Sequence, residues 1–583
     1  MSTKIADPIA FELFRNAIAM IADDMALTIF RTTYSSVLRD NMDYSTSIFD
    51  GQGRLVAQGL TLPGHLGSMP TAMRAAISAF SGDIQPGDVY ALNDPFAGGM
   101  HLPDIFVFKP IFFQGQVIAY AATICHHTDV GGRVAGSNAS DSTEIYQEGL
   151  RIPPTKMFEA GRRNTTLFNL IECNVRAPVK VLGDLRAQLA ACHICEQAML
   201  ELAARYGAEG LARLMTELLD YAERMTRAAI RALPDGVYAF LDHIDDDGID
   251  VGRPIPLKVT ITKQGDGIAV DWTGTSPQVK GAINNTLSFT KSASYCAIRS
   301  ILPGNIPNNE GVFRAIAVEA PAGTIAHGVL PAACAARGLT GFRMVDCLFG
   351  ALAQMVPDRV FAASDGGNTG ISIGGYHADR SPFIYVDFTC CAWGGRPYAD
   401  GLDGNSNIFA NMASQPIEVT EQEQPIQITA YEFLTDAMGA GKFRGGAPFR
   451  REYRFLEQEA VLQVRSDRRD FRPYGLSGGS AGQPSMNYFN GEPVASKLTM
   501  TIRHGDVFRH DVAGAGGWGD PLDRDPDAVL RDVRNGFVSL AAAASSYGVV
   551  IEAGQVAMAA THQQRTRLRG ERAWHETPAV QWD

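Results

Sequence analysis

The sequence predicts an α+β protein: a multi-domain mixed α/β chain with an N-terminal metal-binding domain and Gly-rich, β-containing central and C-terminal parts. Three observations lead there. The chain has 583 residues, too many for one core and enough for about two to four domains. Helical apolar periodicity recurs in long blocks, as in Leu182, Leu185, Leu189, Cys192, Cys195, Met199 and Leu202. The 59 glycines exceed the usual share and point to many tight loops between short strands.

Taken in order, Asp7-Pro8 opens a helix, with Asp7 as cap and Pro8 at the first helical position. Ile9, Leu13, Ile18, Ile21, Met25 and Ile29 carry it toward Thr33. Residues 45–57 read as a hairpin turning at Asp50-Gly51. Strands are expected at 89–92, 105–108 and 117–120, the last two inside an apolar run, 105–124, that turns at Gln114-Gly115. Two long helices follow at about 180–206 and 208–233. Pro234-Asp235-Gly236 ends them and bounds an N-terminal α/β metal-binding domain, 1–235. A β-rich domain spans 236–330 and includes an acidic turn, Asp245-Asp246-Asp247-Gly248, read as a solvated hairpin turn because it lacks EF-hand ligand spacing. A mixed α/β, Gly-rich domain covers 331–525, helical at first and then rich in short strands. The segment 526–583 is helical, with a basic tail at Arg565, Arg567 and Arg569 placed on a surface or an interface.

Composition removes several classes. Hydrophobic content of 45% and charged content of 20% describe a soluble globular chain. A net charge of -12 argues against nucleic acid as a partner. No apolar stretch is long enough for a bilayer span, and Met1-Ser2-Thr3-Lys4-Ile5 lacks the apolar core of a signal peptide, so a cytoplasmic location is expected and no membrane. Cys192-His193-Ile194-Cys195 has a suggestive spacing but lies within a helical pattern with no second pair, so buried core cysteines are the preferred reading. Gly441-Lys442 lacks the P-loop layout. The loop Ser364-Asp365-Gly366-Gly367-Asn368-Thr369-Gly370 stands alone without a matching second hairpin, and no Gly-x-Ser-x-Gly elbow occurs.

The chemistry concentrates in the first quarter. His101 and Asp104 flank Leu102-Pro103 in an extended turn, where residues three apart can converge on one ion. His126-His127-Thr128-Asp129 stands at the far end of the apolar run, so the two groups meet if that run folds back as two strands. Successive side chains of a strand point to opposite faces, so only one of His126 and His127 can face the metal. Neutral imidazoles with carboxylates suit Zn, Mn or Fe in an open catalytic site. Asp43 opens the 45–57 hairpin and is another oxygen ligand only if it reaches the same pocket.

Several marks are specific in combination: Asp43-Tyr44-Ser45 with Phe49-Asp50; Gly64-His65-Leu66-Gly67-Ser68-Met69; Asn93-Asp94-Pro95 through His101-Leu102-Pro103-Asp104; Asn284-Asn285; Arg337-Gly338-Leu339-Thr340; Asp400-Gly401-Leu402-Asp403-Gly404; and Gly514-Ala515-Gly516-Gly517-Trp518-Gly519-Asp520-Pro521. By these marks the chain resembles the hydantoinase B family, the beta subunits of ATP-dependent hydantoinases, 5-oxoprolinases and caprolactamase, with related subunits in acetone and acetophenone carboxylases. Ala513, Ala515 and Trp518 depart from that pattern without touching the candidate ligands.

The resemblance implies Asp43, His101, Asp104 and His126 as metal ligands, and so selects His126 over His127. It also implies an actin-like ATPase A subunit as partner, two copies of each chain, that uses ATP-Mg to phosphorylate the carbonyl oxygen of a hydantoin, lactam or 5-oxoproline. Water, made acidic by the ion, then attacks the activated ring. Asp129 or His65 is the candidate base or water-orienting group. Two alternatives stand beside this one: a ketone carboxylase subunit, to which a length of 583 residues is less suited, and a non-catalytic partner of an ATPase, which an intact ligand set disfavours.

Overall fold

A computed structural model describes residues 7–571 apart from 368, 390 and 391. Helix α1 (Pro8–Thr32) begins as the sequence requires: the Asp7 carboxylate accepts from the N–H groups of Ile9 and Ala10, and Pro8 occupies the first turn. Its buried side chains, among them Phe11, Phe14, Ile18, Ile21, Met25 and Ile29, recur at helical spacing and form one apolar face.

The centre of the N-terminal region is a seven-stranded antiparallel sheet. Its strands are β1 (Tyr44–Asp50), β2 (Leu55–Gln58), β3 (Val89–Leu92), β4 (Asp104–Phe113), β5 (Gln116–His126), β6 (Thr155–Glu159) and β7 (Arg162–Arg163), in the order β2-β1-β5-β4-β3-β6-β7. The hairpin β4–β5 turns at Gln114-Gly115, where φ values of 51° and 81° give the left-handed pair that a tight two-residue turn needs. The 105–124 run therefore folds as expected, and its register sets Asp104 opposite His126. Strand β1 pairs with β5 from Tyr44↔Cys125 onward, which brings Asp43 to the same end of the sheet.

Alternation along the strands divides the sheet between two cores. Ile105, Val107, Ala121 and Cys125 face α1 and the helix Pro178–Arg231, with Leu185, Cys192 and Cys195 packed against them. Phe106, Phe108, Ala122 and Ile124 face a second core built with Met69, Met73, Phe289 and Leu339. The long helix is broken at Gly207 (φ 72°, ψ 161°), the point where the sequence separates two helices. Cys192 and Cys195 are core residues, and burial raises both thiols, Cys192 to about 12.

Beyond position 235 lies a four-stranded sheet, β8 (Gly236–Ile244), β9 (Ile255–Gln264), β10 (Gly267–Asp271) and β11 (Ile316–Glu319), in which only the β10–β11 pair is parallel. The helices Leu287–Ser300 and Gly338–Met355 join its face to that of the first sheet, so one hydrophobic core runs from Val37 to Ala410 across position 235. The Asp245–Asp247 turn is buried rather than solvated. Asp246 accepts from the Gly248 and Gly252 N–H groups, Asp247 from Ile249, Asp250 and Gly281, and Lys497 approaches Asp246 and Asp467.

The Gly-rich part holds two antiparallel sheets, one including Gly370–Tyr376 and Glu459–Arg465, the other including Phe449–Phe455 and Val507–Asp511. They enclose a core containing Ile373, Tyr385, Tyr453, Leu462 and Phe508. A β-carbon on Gly514 or Gly516 would sit 1.8 Å from Ala437 O or 1.9 Å from Tyr474 O, which explains the glycines of that late loop. The basic tail folds back on the chain: in the helix Met558–Glu571, Arg565 donates to the carbonyls of Tyr547 and Arg524, and Arg569 pairs with Asp523.

Candidate metal centre

The end of the seven-stranded sheet gathers four of the expected groups. Asp104 begins β4 and His126 ends β5, and the His126 N–H donates to Asp43 O at 3.0 Å. His101 comes from the loop after the 3-10 turn Pro95–Ala97, where Asp94 caps Phe96. One ligand atom from each of His101, Asp104 and His126 lies within 4.8 Å of the others. All three residues are buried. Asp43 and His65 line the same cavity, of about 30 Å³, with Leu62, Phe289, Phe342, Phe388 and Met412 as its apolar wall and Arg337 and Arg465 as its cations. His65 sits on the helical turn Pro63–Leu66, its Nε2 3.4 Å from Asp43 Oδ1 and 3.8 Å from Asp104 Oδ1.

Hydrogen bonding assigns the tautomer of His101. Its Nδ1 is 3.1 Å from Ala335 O, and a carbonyl can only accept, so Nδ1 carries the proton. A neutral ring then turns a bare Nε2 lone pair toward Asp104 Oδ2 at 3.2 Å. Two acceptors face each other, an arrangement that a cation between them relieves. His126 adds two buried ring nitrogens with no hydrogen-bond partner, and Asp104 Oδ1 is likewise unpartnered. Two imidazoles and a carboxylate are a donor set that fits a transition ion with a position left open.

The electrostatics agree with neutral imidazoles. Burial lowers the pKa values of His65, to about 4, and of His101 and His126, with the Arg337 charge adding to the His101 shift. Burial and the neighbouring Asp104 raise Asp43 well above the usual carboxylate range. Burial would raise Asp104 too, but the Arg337 guanidinium holds it well below that range.

The surroundings orient these groups. Arg337 Nη2 lies 2.5 Å from Asp104 Oδ2. Glu148 Oε1 accepts from the N–H groups of Cys334 and Ala335, holding the segment whose carbonyl fixes His101. Glu148 and the support roles of Arg337 and Arg465 escape sequence reasoning, because each lies far along the chain from the ligands and only packing brings it near.

Two expectations meet a definite answer. His127 points to the opposite face, as strand alternation requires, with Nε2 3.1 Å from Gln188 Oε1 on the long helix. Asp129, expected as a base or water-orienting group, does not line the cavity. Its carboxylate accepts from Gly131, Gly136 and Arg176 N–H groups and from Arg176 Nη1, so it organises the loop after β5. Of the two candidate bases, the structure leaves His65 at the centre. The Ser364 loop is similarly committed, with Ser364 bonded to Asp346 and Asn407; Asn368 lies outside the described residues.

A mixed fold with a buried His/Asp centre at the end of an antiparallel sheet defines the class, and comparison with known proteins defines the family. The family model for Hydantoinase B/oxoprolinase matches residues 7–521. The chain belongs to that family. It is 32% identical to the B component of a putative D-/L-hydantoinase of Pseudomonas sp. strain NS671, over 94% of this chain and 96% of the relative. It is 34% identical to the beta subunit of the caprolactamase of Pseudomonas jessenii, over 96% and 99%. The crystal structure of ATP-dependent caprolactamase from that organism superposes with a TM-score of 0.90 at 32% identity, covering 97% of this chain and 100% of the other. A nucleotide-free acetone carboxylase structure gives a TM-score of 0.89 at 18% identity over 98% and 84%, a likeness of fold. No helix among the described residues is long and apolar enough to cross a membrane.

Proposed function

We propose that this chain is the metal-dependent, ring-opening subunit of a cytoplasmic, ATP-dependent cyclic amidohydrolase acting on a hydantoin, lactam or 5-oxoproline. The observation that carries the reading is the bare His101 Nε2 facing Asp104 Oδ2, with His126 beside them. His101, Asp104 and His126, with Asp43 at the edge of the cavity, would hold a Zn, Mn or Fe ion. Such an ion, when bound, lowers the pKa of water toward neutrality and polarises a carbonyl or phosphoryl oxygen.

The protein's own groups do the rest. His65, whose Nε2 lies at the cavity 3.4 Å from Asp43 Oδ1, orients the attacking water. Phe289, Phe342, Phe388 and Met412 exclude bulk water and receive the ring methylenes. An unstrained amide still lacks a good leaving group, and this sequence has no complete nucleotide motif. An actin-like ATPase A subunit, two copies of each chain in the assembly, supplies that activation by phosphorylating the carbonyl oxygen with ATP-Mg. The hydantoinase and caprolactamase relatives are each named as one component of a larger enzyme, which supports a partnered assembly.

The assembled complex should open rings of a hydantoin, 5-oxoproline or lactam panel with ATP and without bicarbonate. One atom of solvent oxygen should enter the new carboxylate, and the original carbonyl oxygen should leave in phosphate. The fold shared with acetone carboxylase makes a ketone carboxylase the second reading. Strict bicarbonate dependence, with a ketone consumed and no ring opened, would establish it instead.

A further inference from the structure

One buried amide fastens the loop that carries Asp43 to a part of the chain 346 or more residues away. Asn41 Nδ2 donates to Asp387 Oδ1 at 3.2 Å and to Ala413 O at 2.9 Å, and its Oδ1 accepts from Gln415 Nε2 at 2.9 Å. The Asn41 carbonyl also accepts from the Ala413 N–H at 3.2 Å. Met42 follows at φ 57°, in the left-handed region that residues other than glycine rarely enter. Its neighbours on both sides enforce that turn. Beyond the Asn41 anchor, Asp43 gives its N–H to Val37 O at 3.2 Å and takes the His126 N–H on its carbonyl at 3.0 Å. The direction of the Asp43 carboxylate therefore follows from where Asn41 is held.

Asp387 is the centre of that anchor. It lies on the strand Pro382–Phe388, where alternation sets it on the same face as Tyr385. Tyr385 Oη donates to Asp387 Oδ2 at 2.8 Å, and Arg451, from the strand Phe449–Phe455 of the other sheet, pairs with the same oxygen. Oδ1 is thereby left for Asn41 and for the Phe388 N–H, the latter at 2.9 Å. Asn41, Asp387 and Arg451 are all buried, so the guanidinium is what lets a carboxylate stand beside Asn41. Two residues next to the anchor line the cavity: Phe388, whose ring meets that of His126 edge-on at 5.5 Å, and Met412. Apolar packing would hold these segments together in several orientations, whereas a satisfied buried polar network specifies one.

We infer that Asn41 is a positioning residue that aims the Asp43 carboxylate at the ion, and that Asp387, Gln415 and Arg451 hold it in that role. The inference rests on the reading of this centre as a metal site, and it adds a residue that does not itself line the cavity. Asn41 acts only through Asp43, so its contribution to ion binding vanishes once position 43 has no carboxylate.

The test titrates Co(II), whose visible absorption reports its ligands, into the metal-free full-length chain. Asn41→Ala should weaken Co(II) binding about ten- to a hundredfold in the wild-type background. Asp43→Ala leaves His101, Asp104 and His126 to bind added Co(II) more weakly. Adding Asn41→Ala to it should change the affinity by less than about twofold and leave the absorption band unmoved. Asn164→Ala loses the bonds to Lys156 O and from the Leu167 N–H, outside the cavity, so it reports lost stability alone and should bind Co(II) as wild type does. Gln415→Ala removes the donor to Asn41 Oδ1 and keeps the Asp387–Arg451 pair, so it should repeat the Asn41→Ala pattern at smaller size. It takes over the same comparison if circular dichroism shows Asn41→Ala unfolded. Wild-type affinity in the folded variant overturns the inference, and so does an equal loss in both backgrounds, which marks a general defect. A wild-type chain that takes up no Co(II) instead overturns the metal reading on which the inference rests.

Discussion

Asp104 and His126 are register partners, one opening β4 and the other closing β5 of the same hairpin. Pairing the hairpin therefore brings these two candidate ligands together. A one-residue slip in the register would turn His127 toward the cavity and His126 toward the long helix.

Metal content should follow that geometry. The purified chain is expected to hold about one transition ion, and His101→Ala, His126→Ala and Asp43→Ala should each empty the site and abolish activity. His127→Ala should retain the ion, because that ring bonds Gln188 on the opposite face. Elemental analysis decides: an emptied His127 variant beside a loaded His126 variant would reverse the assignment.

Asp129→Ala should behave as a folding defect. Removing a buried carboxylate that holds three N–H groups and pairs with Arg176 is expected to cost a few kcal/mol, ~3 or more. The ion affinity of the folded fraction should stay near wild type. Thermal and denaturant unfolding, combined with metal titration, separates this from a role in proton transfer.

Glu148 predicts a pH dependence of stability. Burial raises its pKa from 4.5 to about 8, against the pull of the Ala335 and Cys334 N–H groups. Between those values the folded state keeps a proton that the unfolded state has lost, so this group's contribution to stability falls as pH rises through the window. The loss is complete above the folded value and is on the order of a few kcal/mol. Glu148→Gln cannot titrate and keeps the acceptor for both N–H groups. Denaturation midpoints at pH 5 and 8 should therefore differ less in the variant than in wild type.

Cysteine reactivity should sort by burial. Cys173 is exposed, whereas Cys125, Cys192, Cys195, Cys334 and Cys347 are buried with raised pKa values. Among these six, brief alkylation of the native protein followed by mass spectrometry should modify Cys173 first. Rapid labelling of Cys192 or Cys195 would contradict their place in the core.

Much of this molecule is determined locally. The Asp7 cap, the apolar spacing of α1, the turn at Gln114-Gly115 and the break between 206 and 208 depend on a few neighbouring residues, and the sequence displays them. The alternation that separates His126 from His127 is local in the same way. What the sequence conceals involves long-range burial. The Asp245–Asp247 turn looks like solvent-facing chemistry until the Gly281 N–H and Lys497 close over it. Asp129 looks like a fourth member of a His/Asp group until Arg176 takes its carboxylate.

By itself, then, the sequence determined the mixed α+β class, the hairpin that joins Asp104 to His126, and, through its motifs, the family. The family resemblance implied that Asp43 joins that pair; tertiary structure alone decided that His65 lines the same cavity, that Ala335 fixes the His101 tautomer, and that Arg337 and Arg465 face the centre. The physical reason is the range of the interactions. Periodicity, capping and turns act over a few residues, whereas the burial that moves these pKa values and aligns these charges exists only once segments more than 200 residues apart are packed together.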